Sequence, residues 1–212
     1  MKQHFASYLT TLFLGAFSLL PLSAQDVVTL PQPNKTLPGT LMQALANRHS
    51  EREFSNKQLT DNELANLLWA ANGVNRPDGK RTAPSAMNAQ PIDIYVCRAD
   101  GAFLYDAANH QLKRITTKDL RPAVASGQDF VLQAPVSLVL VCDASRYPGG
   151  RDKFGLADAG YVSQNICLYC AATQLACIPR GTMNSETLRS ELHLTAKQTP
   201  LLNNVVGYKK TN

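Results

Sequence analysis

Apolar and polar positions along this chain switch between a helical and an extended period. Leu41, Met42 and Leu45 fall on one helical face and predict a first helix ending near residues 48–50. Thr60-Asp61-Asn62-Glu63 reads as a capping box, in which hydroxyl and carboxylate each take a backbone N–H of the first turn. Leu64, Leu67, Leu68 and Ala71 follow three and four residues apart, and Gly73 ends the helix. Arg76-Pro77-Asp78-Gly79 is a turn. Residues 91–97 read as a strand, and 103–105 with 111–115 as a hairpin. Residues 118–132 predict a helix, with Pro122 suited only to its first turn. The unbroken apolar run 136–141 has the pattern of a strand buried on both faces. Residues 154–176 form a long helical pattern that is apolar nearly all round, as in a helix buried in a core or a subunit interface. A short strand at 177–179, a helix at 185–192 and a strand at 204–209 complete the order.

This order is α+β: helices first, strands interspersed, the longest helix late. No glycine-rich turn follows a strand, which disfavours a doubly wound nucleotide-binding domain. The 212 residues suffice for one domain with a full core, and 44% hydrophobic with 17% charged residues is ordinary for a globular chain. Residues 25–38, with Pro31, Pro33 and Pro38, read as an extended arm ahead of a domain at 39–212. There are no internal repeats and no low-complexity tract.

Residues 1–24 read as a secretory signal peptide: Lys2, an apolar run over 5–20, then Leu22-Ser23-Ala24 as a small-residue cleavage site. The alternative is an uncleaved anchor, but the run is shorter than the ~20 residues a span needs. The expectation is an exported, periplasmic protein with no stable membrane association after cleavage. No Arg-Arg pair precedes the run and no Cys follows it, so neither a twin-arginine route nor a lipoprotein is indicated. Net charge is +5, one unit less without Lys2. The basic residues are scattered without interleaved aromatics, which argues against nucleic acid and suits anionic small molecules.

Five cysteines is an odd number, so at least one is free or pairs between chains. Cys97 and Cys142 lie in strand-like runs; Cys167, Cys170 and Cys177 lie in or beside the long helix. Cys167-Leu168-Tyr169-Cys170 has the C-x-x-C form, but an active redox pair opens a helix, where the terminus lowers a thiol pKa. This pair sits well inside an apolar helix and reads as small core residues, with a thiol protein as the lesser alternative. His49, His110 and His193 lack metal-ligand spacing, and the last two read as surface residues. Ser85 lacks a hydrolase elbow. No acid, base and nucleophile set is visible.

Two segments carry candidate chemistry. Thr82-Ala83-Pro84-Ser85-Ala86-Met87-Asn88-Ala89-Gln90-Pro91 is a loop of small residues that lets a ligand approach the backbone, and Asn88 and Gln90 add amides. In Arg48-His49-Ser50-Glu51-Arg52-Glu53-Phe54, two guanidinium groups flank a hydroxyl, which suits a phosphate. Together they resemble the flavin site of the nitroreductase family, including its branch of SagB-type dehydrogenases, where a run similar to Arg81-Thr82-Ala83-Pro84-Ser85 occurs.

The resemblance extends over residues 44–210. It implies a nitroreductase-like α+β fold, a central mostly antiparallel sheet flanked by helices, and a homodimer with FMN at the subunit interface. It places Arg48, His49, Ser50 and Arg52 at the phosphate, ribityl chain and ring edge. A cation at Arg52, near the pyrimidine, would stabilise the anionic reduced flavin. Pro84, Ser85, Ala86 and Asn88 match the family's Pro-Ser-x-x-Asn segment, which packs against the flavin held mainly by the other subunit. Pro179, Arg180 and Gly181 match the turn that sets a backbone N–H against flavin N5, and Lys209 matches a further phosphate cation. Asp158-Ala159-Gly160 with Gln164-Asn165 resembles the interface helix.

Two features depart from the pattern. Arg180 stands where several members carry an acid, which would favour an anionic substrate. The C-terminus is short, and the 25–38 arm could take over its embrace of the partner. The implied activity is FMN-dependent hydride transfer by a ping-pong route, between a reduced donor such as NAD(P)H and a small conjugated acceptor such as a nitroaromatic or quinone. SagB-type relatives instead oxidise azoline rings in peptides. NAD(P)H is a cytoplasmic donor, so export leaves the donor open. The alternative is an exported flavin- or small-ligand-binding protein without turnover.

Overall fold

The computed structural model describes residues 26–150 and 152–210; the expected leader lies outside them. Its frame is an antiparallel sheet of eight strands: β1 (Val27–Thr29), β2 (Phe54–Ser55), β3 (Ile92–Arg98), β4 (Gly101–Asp106), β5 (Gln111–Thr116), β6 (Val136–Asp143), β7 (Leu175–Arg180) and β8 (Gln198–Lys209). The order is β1-β5-β4-β3-β6-β8-β2, with β7 also paired to β8. Every strand pair is antiparallel.

The apolar run at 136–141 becomes β6, buried almost throughout between β3 and β8. Side-chain alternation divides the core in two. Ile92, Ile94, Val96, Leu138, Leu140 and Val206 face α2 (Asp61–Asn72) and α4 (Gly155–Thr173). Tyr95, Cys97, Val139, Val141 and Val205 face α3 (Arg121–Ala125) and α5 (Ser185–Glu191). Leu67 and Leu68 of α2 are wholly enclosed, each burial contributing about 2 kcal/mol. The Thr60 capping box forms as expected: Thr60 N–H donates to Glu63 Oε2 at 2.8 Å, and Glu63 N–H to Thr60 Oγ1 at 3.2 Å. The first helix, α1 (Leu41–Asn47), packs on α4 and carries a second box, Thr40 with Gln43.

Four expectations change. The helix expected over 118–132 is only α3 followed by a tight turn at Asp129–Gln133. Ser126 (φ 47°) and Gly127 (φ 83°) are both left-handed, which ends the α-helix. The long helix, expected to reach residue 176, stops at Thr173 because Gln174 turns left-handed, and the strand expected at 177–179 begins earlier, at Leu175 of β7. β8 begins at Gln198, well before residue 204. Its polar start and Pro200 hid the strand, and a register shift between Leu140 and Val141 accommodates them. His110 is buried, with Nδ1 2.9 Å from the Tyr105 hydroxyl and Nε2 3.0 Å from the Pro31 carbonyl. The cause is β1, which lays the preceding arm along β5 and brings Pro31 over the ring. Burial pushes the His110 pKa down, in keeping with a neutral ring that donates to Pro31 and accepts from Tyr105.

Asp106 ties the β4–β5 hairpin: its carboxylate accepts from Ala108 N, Asn109 N, Asn109 Nδ2 and Gln111 Nε2, and meets Lys113 Nζ at 2.8 Å. Burial opposes the charge, but the Asn109, Lys113 and Gln111 donors outweigh it and hold the carboxyl well below the usual range. Because the folded state binds this proton more weakly, its contribution is full above the unfolded pKa of about 3.9 and is lost as pH falls below it. Asp106→Asn should therefore destabilise the protein in urea at about pH 7 and much less at about pH 3. Equal losses at both values would contradict the assignment.

Candidate functional site

The Arg48–Phe54 segment is fastened at both ends and open along its length. α1 releases the chain at Arg48, whose N–H still bonds Ala44 O at 2.9 Å. Glu51 N–H donates to the Cys177 carbonyl of β7 at 3.0 Å, and Lys210 N–H to Glu53 O at 3.0 Å. Phe54 then enters the core, 2% exposed, as β2 pairs with the end of β8. β8 passes close beneath it at Gly207, where a Cβ would meet Phe54 Cδ1 at 3.3 Å and Pro135 Cδ at 2.8 Å.

Arg48, Ser50 and Arg52 are exposed, and none of their side chains has a hydrogen bond or ion pair among the described residues. Glu51 points inward. It accepts from the N–H groups of Arg52 at 2.9 Å and Glu53 at 3.1 Å, and lies 3.4 Å from Lys209 Nζ and 3.6 Å from His49 Nε2. Burial raises its pKa, but those two N–H groups and Lys209 more than offset this, so the carboxyl stays below the usual range. His49, Glu51 and Lys209 line a cavity of about 220 Å³ with Cys167, Cys170 and Cys177. Of the expected residues, His49 and Lys209 meet through Glu51 at the cavity, whereas Arg48, Ser50 and Arg52 do not line it and stand exposed along the same segment; the five are called the basic strip.

Pro179, Arg180 and Gly181 lie at the other end of β7. Gly181 is exposed, but the Arg180 side chain is enclosed at 8% exposure. Its guanidinium donates to the Val124 and Ala125 carbonyls at 3.1 Å each, to Asn203 Oδ1 at 2.9 Å and to Gln128 Oε1 at 3.1 Å. Burial lowers its pKa. The expectation that Arg180 offers charge to a substrate is therefore corrected. The buried carbonyls at the C-terminal end of the shortened α3 take the Arg180 N–H groups, beside the Gln128 N–H that Ala125 O also accepts.

Pro84, Ser85, Ala86 and Asn88 stand apart from the basic strip, in the loop ahead of β3 and beside the start of α4. None of them lines the cavity that holds His49 and Lys209. Met87 (φ 56°), Asn88 (φ 52°) and Gln90 (φ 48°) are all left-handed, a strained cluster without a glycine. Ser85 Oγ accepts from Gln90 N at 2.9 Å, and Asp158 of α4 accepts from Ala86 N at 3.1 Å and 3.2 Å. Arg81 braces the loop from behind through Gln90 Oε1 at 2.9 Å and Asn72 O at 3.1 Å.

The profile described as the Nitroreductase family matches residues 45–208. The chain belongs to the nitroreductase family. Its broad class is that of an oxidoreductase, and its sheet flanked by helices is the nitroreductase-like fold. The relative MJ1384 of Methanocaldococcus jannaschii, which bears the nitroreductase name, is 30% identical over 182 residues, 80% of this chain and 91% of its own. A crystal structure from Ralstonia eutropha under the same name superposes with a TM-score of 0.80 at 39% identity, covering 88% of this chain and 90% of that one. A structure from Desulfovibrio desulfuricans, solved with FMN, shares the fold at a TM-score of 0.60 and 22% identity, covering 82% and 88%.

Nitroreductase membership leaves the cysteines as core residues. None of the five forms a disulfide among the described residues, and all are buried. Cys167 Sγ lies 3.9 Å from Cys177 Sγ across to β7. That neighbour and burial push the Cys167 thiol far up, and burial pushes Cys97 up to about 12, the reverse of an activated thiolate. No group of three or more His, Cys, Asp or Glu among the described residues is placed to hold a metal. Sequence reasoning missed Glu51 as the organiser of the basic strip and Asp158 as the anchor of the loop. Glu51 lay inside the quoted motif, but its inward direction depends on β7 and Lys209. Asp158 was noted only as part of an interface helix.

Proposed function

We propose that this chain is an FMN-dependent oxidoreductase that works as a homodimer with two flavin sites at the subunit interface. The observation that carries the reading is the basic strip: two arginines and a serine hydroxyl, on a segment fixed by α1 and the sheet, make no side-chain hydrogen bond or ion pair among the described residues. Such a set fits a phosphate, which takes charge-assisted hydrogen bonds from guanidinium groups. Lys209 adds a cation beside them, neutralised in part by Glu51. Gly181 lies four strand residues beyond Cys177, about 13 Å along β7, the length scale of a flavin mononucleotide laid along the strand. The FMN bound to the Desulfovibrio desulfuricans relative supports the same cofactor here.

The Pro84–Asn88 loop is remote from the strip within one chain, which fits a site completed by a second copy. Leu41 (64% exposed) and Met42 (73%) on α1, with Leu156 (64%) and Tyr161 (49%) on α4, leave a large apolar surface that a second copy would cover.

When bound, FMN supplies two-electron chemistry at N5, accepting hydride from a donor such as NAD(P)H and passing it to a conjugated acceptor such as a nitroaromatic or quinone. The chain's own part is to hold the phosphate with Arg48, Ser50 and Lys209, to set positive charge from Arg52 near the ring edge, and to present the Gly181 backbone. The expected leader makes the mature protein periplasmic, beginning near Gln25, which mass spectrometry of the exported protein would check.

The deciding experiment is a visible absorption spectrum of the purified protein, taken anaerobically with and without NADPH. Flavin bands that bleach are expected. Bands that persist would favour the binding protein without turnover, or another donor. No bands after adding FMN would overturn the reading.

A further inference from the structure

Asp158 sits in the first turn of α4 with 2% of its surface exposed and no ion pair among the described residues. Its helix neighbours on the buried face are Ala159 and Val162, so the surroundings do not call for a carboxylate. A buried carboxylate without a cation costs several kcal/mol. Here three features lower that cost. The N-terminus of α4 has no side-chain cap and carries partial positive charge. The Tyr147 hydroxyl, 2% exposed, donates to Oδ2 at 2.7 Å. Ala86 N–H donates to both oxygens, at 3.1 Å and 3.2 Å.

The Ala86 contact falls one residue before the strained stretch. Met87, Asn88 and Gln90 hold left-handed backbones, strained conformations that persist only where the surroundings over-determine them. Three side chains do so: Ser85 Oγ from inside the loop, Arg81 on the Gln90 side chain from behind, and Asp158 from outside it. The result is a loop whose root is buried while Met87 (49% exposed) and Asn88 project outward.

We propose that Asp158, oriented by Tyr147, is the positioning residue that holds the Pro84–Asn88 turn in the shape needed to meet the flavin of the neighbouring subunit. The proposal rests on the homodimeric FMN reading above. Asp158 touches no flavin itself; it acts through the backbone of Ala86.

The test uses the full mature protein, FMN as the probe, and three variants: Asp158→Ala, Asp158→Asn and Tyr147→Phe. FMN affinity is read by fluorescence quenching, and the environment of the ring by visible circular dichroism of the bound flavin. Asp158→Ala is expected to weaken FMN roughly tenfold and to change the flavin dichroism. Asp158→Asn should restore most of both, because its amide oxygen still accepts from Ala86 N–H. Tyr147→Phe should shift both in the same direction by less, and it keeps the question answerable if Asp158→Ala does not fold. A lowered melting temperature with unchanged affinity and dichroism would overturn the proposal and leave Asp158 a purely structural residue. Wild-type protein that takes up no FMN would overturn the underlying reading, and this proposal with it. Wild-type binding that all three variants share unchanged would overturn the proposal alone.

Discussion

Replacing Arg48 and Arg52 together by alanine is expected to weaken FMN binding about a hundredfold or more. A hydrogen bond to a charged group contributes about 1.5–3 kcal/mol, and the lower end applies here because both side chains are exposed. Two such losses, about 3 kcal/mol, correspond to roughly two orders of magnitude in Kd. Among the described residues neither guanidinium makes a hydrogen bond or ion pair, so the melting temperature should barely move. Riboflavin, which lacks the phosphate, is the discriminating control. If Arg48 acts on the phosphate and Arg52 at the ring edge, Arg48→Ala should leave riboflavin affinity nearly unchanged, Arg52→Ala should weaken riboflavin and FMN alike, and the FMN loss should shrink as salt is raised. FMN affinity within twofold of wild type would remove the strip from the site.

The second large effect concerns stability. Arg180→Ala is expected to lower stability by about 3–5 kcal/mol, because it strips donors from several buried acceptors at once. Asn203 is 0% exposed and its Oδ1 accepts from Arg180, as do the Val124 carbonyl and the Ala125 carbonyl, the latter also taking Gln128 N–H at 3.0 Å. For a chain of this size that loss corresponds to a fall of about 10 °C or more in Tm. Arg180→Lys should recover only part, since one compact ammonium cannot reach four acceptors laid out for a planar fork. Thermal melts of the three proteins decide it. A shift under 2–3 °C, near the size of a surface change, would show that water replaces the guanidinium readily. The same variants should leave any preference between anionic and neutral acceptors unchanged, because the charge is enclosed.

Much of the architecture was legible along the chain. The capping box at Thr60, the helical spacing of Leu64 to Ala71, the apolar run of β6 and the β4–β5 hairpin are local patterns, and local hydrogen bonds or side-chain alternation suffice to realise them. The same holds for the chemistry of the site at the level of residue type. Arginines around a serine suit a phosphate whatever the fold, and the order of the motifs along the chain led to the family that the whole-chain comparison bears out.

Other features depended on neighbours distant in sequence. Residues 118–132 break at Ser126 and Gly127, whose left-handed backbones end α3 where Arg180, distant in sequence, takes its Val124 and Ala125 carbonyls. β8 reaches back to Gln198 because β6 offers its edge there, despite Pro200. His110 is buried because a strand from the arm crosses it.

The direction of a polar side chain was least visible of all. Arg180 and Arg52 are both arginines beside candidate flavin contacts, yet one is spent on α3 carbonyls and the other is left free. Asp158 and Glu51 likewise look like ordinary acids until α4 meets the loop and β7 meets the strip. Periodicity and residue chemistry act over a few residues and can be read from order alone. Whether a charged group is enclosed depends on which donors and acceptors the tertiary fold brings within 3 Å of it, and that information is absent until the sheet is assembled.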